Sequence, residues 1–213
     1  MSIPYHPNIL TVVQAWSESD RKIRILTDLC EKSLMKYLEE LWAKDKGLSE
    51  EQILSFASDI FKGVHHLHLH KTMHLDLKPD NLLLYNGGKN VKVGDFGLAH
   101  RAGDKIIPSE GDNKYMAPEL LSGSFGFPAD IFSLGITLYE MSVPKIVIPG
   151  KGERWRALRN NDIDFSMWTH SEELKELIKW MLRADPKERP TSFDLVNHKL
   201  IKKSSVVVNK PLQ

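Results

Sequence analysis

Two short β-prone runs, Val12 to Trp16 and Lys22 to Thr27, are joined by the polar stretch Ser17-Glu18-Ser19-Asp20. This pattern predicts an antiparallel hairpin. Helical periodicity takes over afterwards. Ser49 with Gln52 three residues on has the form of a capping box, and Leu48 with Ile53 that of a hydrophobic staple. Ile53, Ala57, Ile60, Val64 and Leu67 then recur at spacings of four and three, so they share one face and predict a buried helix to about His68. Leu82 to Tyr85 and Asn90 to Val93 flank Asn86-Gly87-Gly88, whose glycines suit a tight turn between small strands. A strongly apolar helix is predicted from Asp130 to Met141. A later amphipathic one turns Leu174, Leu177, Ile178, Met181 and Leu182 to one side before Asp185-Pro186 closes it. The stretch from Lys202 to Gln213 has no clear period and is assigned no element.

Composition narrows the function classes. The 213 residues, 41% apolar and 27% charged, suffice for one substantial core. With 29 basic against 28 acidic side chains the net charge is +1, which gives no global field to draw in nucleic acid or an anionic membrane. Nucleic acid is not expected as a partner. No run approaches the ~20 apolar residues of a spanning helix, since even Ile131 to Met141 is broken by Ser133, Gly135, Thr137 and Glu140. The single cysteine, Cys30, cannot form an internal disulfide and fits a reducing compartment, the cytosol or nucleus. Met1 to Asn8 has neither the basic flank nor the apolar core of a signal peptide.

The candidate chemistry lies in His74-Leu75-Asp76-Leu77-Lys78-Pro79-Asp80-Asn81, followed fourteen residues after Asn81 by Asp95-Phe96-Gly97 and later by Ala117-Pro118-Glu119. Taken singly, Asp76, Asn81 and Asp95 are ordinary turn or cap residues. In this order, with a strand hairpin between the first two motifs, the set resembles the eukaryotic protein kinases. The resemblance implies an α+β, protein-kinase-like fold, a mostly helical large lobe with only a remnant hairpin of the small-lobe sheet. Residues 1–30 would be small lobe and hinge, 31–201 the large lobe and 202–213 a tail.

It also implies ATP and Mg²⁺ as cofactors and a role for each motif residue. Asp76 would accept or orient the substrate hydroxyl, Lys78 contact the γ-phosphate, and Asn81 with Asp95 hold Mg²⁺, a cation suited to hard oxygen donors. Thr27, Asp28, Leu29 and Cys30 become the strand and hinge that receive adenine, with Thr27 as gatekeeper and Leu83 as the apolar floor under the base. Glu119 should pair with Arg189, and Asp130 should hold the catalytic loop's backbone from below. His74 is expected as a packed loop histidine, and the His65-His66-His68-His70 group as a partly exposed helix end rather than a metal site.

Within the kinases, Glu110-Gly111-Asp112-Asn113-Lys114-Tyr115-Met116-Ala117-Pro118-Glu119 resembles the Wee/Myt family, in which aspartate stands where most serine/threonine kinases have threonine. His74-Leu75-Asp76 lacks the usual arginine, another shared feature, so no guanidinium fork awaits an activation-loop phosphate beside Asp76. Gln14-Ala15-Trp16, Thr27 to Cys30 with Ser33-Leu34, Phe96, and Gly152-Glu153 with Trp155, Leu158 and Arg159 are similar to the Myt branch. The resemblance implies a cyclin-dependent kinase as protein substrate, phosphorylated on an inhibitory tyrosine and an adjacent threonine, and membrane association through regions outside this chain.

One departure bears on activity. The family's glycine-rich loop, its strand lysine and the helix glutamate should precede His6-Pro7-Asn8, and these 213 residues contain none of them there. The expectation is a chain that opens in mid-sheet and that, without these phosphate-binding groups, lacks normal activity by itself. Two other readings stay open on the residues alone: a non-catalytic module that binds a partner through its helical lobe, and a serine/threonine kinase of another branch.

Overall fold

The computed structural model describes residues 3–19, 22–104 and 111–207. β1 (Val12–Ser19) and β2 (Lys22–Thr27) form the expected antiparallel hairpin, pairing Val12 with Thr27 and Ala15 with Ile25. All of β1, and β2 up to Leu26, is exposed. After it come β3 (Lys32–Ser33) and α1 (Leu34–Trp42), whose N-cap Ser33 accepts from the Lys36 N–H and whose Leu34 and Leu38 are fully buried.

The long helix α2 (Glu50–Leu69) starts where the sequence places it. Ser49 Oγ accepts from Gln52 N and the Gln52 side chain accepts from Ser49 N, a complete capping box worth about 1 kcal/mol. Ile53, Ala57, Ile60, Val64 and Leu67 are all fully buried. Asp59, on the same helix, accepts from the Val91 N–H and the Asn90 side chain, which fastens α2 to the next sheet.

That sheet contains β3, β5 (Leu82–Tyr85) and β6 (Asn90–Val93), all antiparallel, while β4 (Thr72–Met73) pairs separately with β7 (His100–Arg101). Residues 8–10 run along the free side of β6, with Val93 N donating to Asn8 O and Leu10 N to Val93 O.

The helical half follows as α3 (Phe127–Ser142), α4 (Gly152–Arg159), α5 (Glu172–Met181), α6 (Ser192–Asn197) and α7 (Lys199–Val207). Fourteen residues of α3, Ala129 to Ser142, are buried, so it is the post of the core. α5 buries Leu174, Leu177, Ile178 and Met181, the face read from the sequence. The region left unassigned from Lys202 onward is helical to Val207, so the expected boundary after residue 201 falls inside α7. Its anchors Leu200 and Ile201 are buried, and that contact extends the helix past the point where sequence periodicity runs out.

α3 and α5 approach closely at Gly135. A Cβ there would stand 2.7 Å from Leu182 Cδ2 and 3.1 Å from Met181 Cβ. α3 also buries a carboxylate: Tyr115 donates to Glu140 Oε2 at 2.6 Å, with 4% of the tyrosine and 5% of the glutamate exposed. Burial pushes Glu140 up to about 7, against partial relief from the Tyr115 hydrogen bond and the Lys114 charge.

Two predictions follow from this packing. Gly135→Ala gains helix propensity of about 1 kcal/mol yet should destabilise net by about 1–3 kcal/mol, read from urea unfolding midpoints; a stabilised variant would show that Leu182 yields freely. For Glu140, the unfolded carboxyl titrates near 4.5 and the folded one near 7. The folded state therefore holds the extra proton between these values, and stability falls as pH rises through that window, with the full cost present above it. Glu140→Gln keeps an acceptor for Tyr115 and should remove this fall, gaining up to about 3 kcal/mol at pH 8. Unfolding free energies at pH 5 and pH 8 that change equally in both proteins would refute it.

Candidate active site

The segment from His74 to Asn81 leaves β4 as an irregular loop that ends in a 3-10 turn, Pro79–Asn81. Leu75 and Leu77 are buried in the core at 6% and 0% exposure, while Asp76 and Lys78 are half-buried. His74 is fully buried; its Nε2 bonds to Gly94 O at 2.9 Å and its ring lies 5.3 Å from that of Phe96. Leu75 has φ 65°, a left-handed conformation that a leucine adopts only when its surroundings impose it.

Asp130, at the start of α3, imposes it. Its Oδ1 accepts from Leu75 N at 2.8 Å and its Oδ2 from His74 N at 2.9 Å, and His68 Nε2 lies 2.8 Å from the same Oδ2. Burial by itself would push the Asp130 carboxyl up; the hydrogen bond from His68, the nearby histidine charges and the His74 N–H outweigh it and hold the group below its ordinary value. His65, His66 and His70 are half-buried, in line with the expected partly exposed helix end, but His68 departs from it: it is 9% exposed and paired with Asp130, because α3 packs across the last turn of α2.

Three of the motif residues are bonded together. Asn81 Nδ2 donates to Asp76 O at 2.7 Å and Asp76 Oδ2 at 2.8 Å, and Lys78 Nζ sits 3.1 Å from that same Oδ2. Asp76 Oδ1 accepts from Asp112 N at 3.2 Å, while the Asp112 carboxylate stands 3.8 Å from Lys78 Nζ. Partial burial would lower Lys78, but the Asp76 hydrogen bond and the charges of Asp76, Asp112 and Asp80 raise it overall and keep the ammonium charged. Gly111 fits against this loop only because it lacks a side chain: a Cβ would come 2.5 Å from Leu75 O.

Asp95 reaches the cluster through the backbone. Gly94 N donates to Asn81 O at 2.9 Å, and Asp95 follows with φ 56°, exposed, its Oδ1 accepting from Gly97 N. The Asn81 amide nitrogen is committed to Asp76, so the oxygens left in this cluster without that bond are Asn81 Oδ1 and the exposed Asp95 carboxylate, both hard donors. Among the described residues no group of three or more His, Cys, Asp or Glu side chains gathers to hold a metal. A nucleotide-bound Mg²⁺ takes one or two protein carboxylates beside phosphates and waters, so a larger cluster is not needed for it.

The expected hinge lies on a separate wall. Asp28 N donates to Thr11 O, and the Asp28 carboxylate takes the Lys92 ammonium at 3.1 Å. Thr27 and Cys30 are half-buried, Leu29 is 95% exposed, and burial raises the Cys30 thiol, which disfavours the reactive thiolate. Leu83 of β5 packs against Gly94, on the path from this wall to Asp95. Among the described residues no hydrogen bond joins Thr27 to Cys30 with the Asp76 cluster.

Glu119 and Arg189 pair as expected, Nη1 to Oε1 at 2.6 Å and Nη2 to Oε2 at 2.9 Å. Sequence reading did not find the Asp112 contact with Lys78, or Lys92, 7% exposed beneath Asp28. It found Arg159 only as a family likeness without a task. These contacts span tens of residues and carry no local spacing signal. Glu110 lies outside the described residues.

Comparison with known proteins agrees with this geometry. The protein kinase domain matches residues 1–201. The chain is 40% identical over 207 residues to the membrane-associated tyrosine- and threonine-specific cdc2-inhibitory kinase wee-1.3 of Caenorhabditis elegans, covering 95% of this chain and 30% of that protein. It is 36% identical over 197 residues to the kinase of the same description from Drosophila melanogaster, covering 91% and 36%, and 32% identical over 211 residues to the mitosis inhibitor protein kinase wee1 of Schizosaccharomyces pombe, covering 87% and 24%. The chain thus spans well under half the length of these relatives. With a kinase domain over almost all of its length and relatives of the Wee and Myt kind, the chain belongs to the protein kinase family.

Proposed function

We propose that this chain carries the catalytic residues of a kinase that transfers the γ-phosphate of ATP to a hydroxyl of a protein substrate, and that the substrate is a cyclin-dependent kinase held back from mitosis by the modification. The observation that carries the reading is the bonded set Asp76, Lys78 and Asn81, with both Asp76 oxygens oriented by neighbours and its side chain 13% exposed. The target class rests on relatives described as cdc2-inhibitory kinases.

Each residue has a task the geometry supports. Asp76 orients the attacking hydroxyl and takes its proton; Asn81 and Lys78 fix its rotamer before substrate arrives. Lys78, kept charged by three carboxylates, sits where it neutralises the transferring phosphoryl group. Asn81 Oδ1 and Asp95 would hold Mg²⁺, which would offset the charge of the nucleotide's phosphates. Thr27 to Cys30 and Leu83 receive adenine, the backbone of the first group by hydrogen bonds and Leu83 by apolar contact. Residues 1–30 serve as the small-lobe side of the cleft and 31–201 as the large lobe.

Transfer of labelled γ-phosphate to a catalytically inactive cyclin-dependent kinase tests the reading. Asp76→Asn should lower the rate at least roughly 10²-fold while leaving the unfolding curve unchanged. Gly111→Ala should also slow transfer, roughly 10-fold or more, by pushing the segment off Leu75. Wild-type protein that binds the target and transfers no phosphate would make this a binding module instead; equal rates for wild type and Asp76→Asn would remove Asp76 from the reaction.

A further inference from the structure

Arg159, at the end of α4, is a buried charge without a counter-charge. It is 2% exposed, and among the described residues no carboxylate pairs with it. Its donors go to backbone carbonyls: Nε to Met116 O at 2.9 Å, Nη2 to Asn113 O at 2.9 Å and Lys114 O at 3.1 Å, and Nη1 to Trp155 O at 3.2 Å. The guanidinium stacks 3.8 Å from the Trp155 ring centre and lies 5.6 Å from that of Phe132. Burial lowers it to about 10, so it remains charged at neutral pH.

The acceptors form a pattern. Asn113 O also accepts from the Trp155 indole at 2.7 Å, and Tyr115 O accepts from Ser133 Oγ at 2.9 Å. Every carbonyl from Asn113 to Met116 is therefore held by a side chain of α3 or α4, where a sheet ladder or helix would otherwise hold it. The N–H side of the same stretch is tied inward: Lys114 N bonds to Asp112 Oδ1, and Tyr115 N and Met116 N to Asp112 O. Asp112 N in turn holds Asp76 Oδ1. A desolvated guanidinium costs stability that a neutral side chain of its shape would not. Its donors match the backbone that directly follows Asp112, whose N–H bonds to Asp76.

We propose that Arg159, with Trp155, is a positioning residue that shapes the Asn113–Met116 backbone into the seat on which a protein substrate is laid beside Asp76. This rests on the reading of Asp76 as the group facing the substrate hydroxyl. The nucleotide side of the cleft shares no hydrogen bond with Arg159, so the effect falls on the protein substrate alone. Specificity between protein substrates is set partly at α4, outside the loop motifs themselves.

Amide hydrogen exchange and steady-state kinetics, on wild type, Arg159→Lys and Trp155→Phe, test it. Arg159→Lys keeps the charge and loses the fork; Trp155→Phe keeps the ring and loses the indole N–H. Exchange in residues 111–117 should accelerate roughly tenfold in Arg159→Lys and less in Trp155→Phe, with α2 and α3 unchanged. KM for a cyclin-dependent kinase substrate should rise roughly tenfold at constant KM for ATP. Faster exchange throughout α2 and α3, unchanged exchange at 111–117, or a parallel rise in KM for ATP overturns the proposal. Should wild type transfer no phosphate, the kinase reading fails by itself, and the exchange pattern alone decides the role of Arg159.

Discussion

A single buried carboxylate determines where the catalytic loop lies. Asp130 is fully buried at the first turn of α3, and its two oxygens take the N–H groups of His74 and Leu75 and the side chain of His68. Loop backbone has no sheet or helix partner of its own, and unpaired donors inside a protein are costly. By taking both donors, Asp130 makes the left-handed Leu75 affordable and fixes the backbone just before Asp76. Placing it near the N-terminus of a helix also suits a negative charge. Removing one partner from such a buried set typically costs about 3–5 kcal/mol, so the loop and the helical core stand or fall together.

The same helix anchors the stretch that faces the loop. Phe132 lies under two guanidinium groups, Arg189 at 4.8 Å and Arg159 at 5.6 Å, and each reaches a different part of the 113–119 stretch. Arg189 is bidentate to Glu119 and also donates to Arg183 O, Ala184 O and Pro128 O, so its charge is both paired and hydrogen-bonded. Ser133 and Glu140 complete the row with Tyr115. The surface beside Asp76 is thus assembled from polar groups on an otherwise apolar helix. Apolar residues in their place would pack more favourably and leave the segment free of any defined path.

Charge in the cleft is arranged with similar economy of contacts. Lys78 lies between Asp76 and Asp112, and the aspartate at position 112 adds a second acid where a hydroxyl would be neutral. Asn81 donates through its amide nitrogen to both the backbone and the side chain of Asp76, so one short side chain fixes the loop and its carboxylate together. Positioning of this kind, completed before ligand arrives, is what phosphoryl transfer asks of a protein.

Periodicity alone identified β1 with β2, α2, the β5–β6 hairpin, α3 and α5, because each carries a local repeat or cap that needs no distant partner. The motif order brought Asp76, Lys78, Asn81 and Asp95 into view for the same reason: the motifs that contain them are set at fixed short spacings. His68, Lys92, Glu140 and Arg159 were illegible in those roles, since each acts through a partner between about twenty-five and eighty-five residues away. The sequence by itself determined which residues could do the chemistry. Only the tertiary structure decided how they are held, because the hydrogen bonds that orient a loop come from whichever buried groups the packed helices bring beneath it.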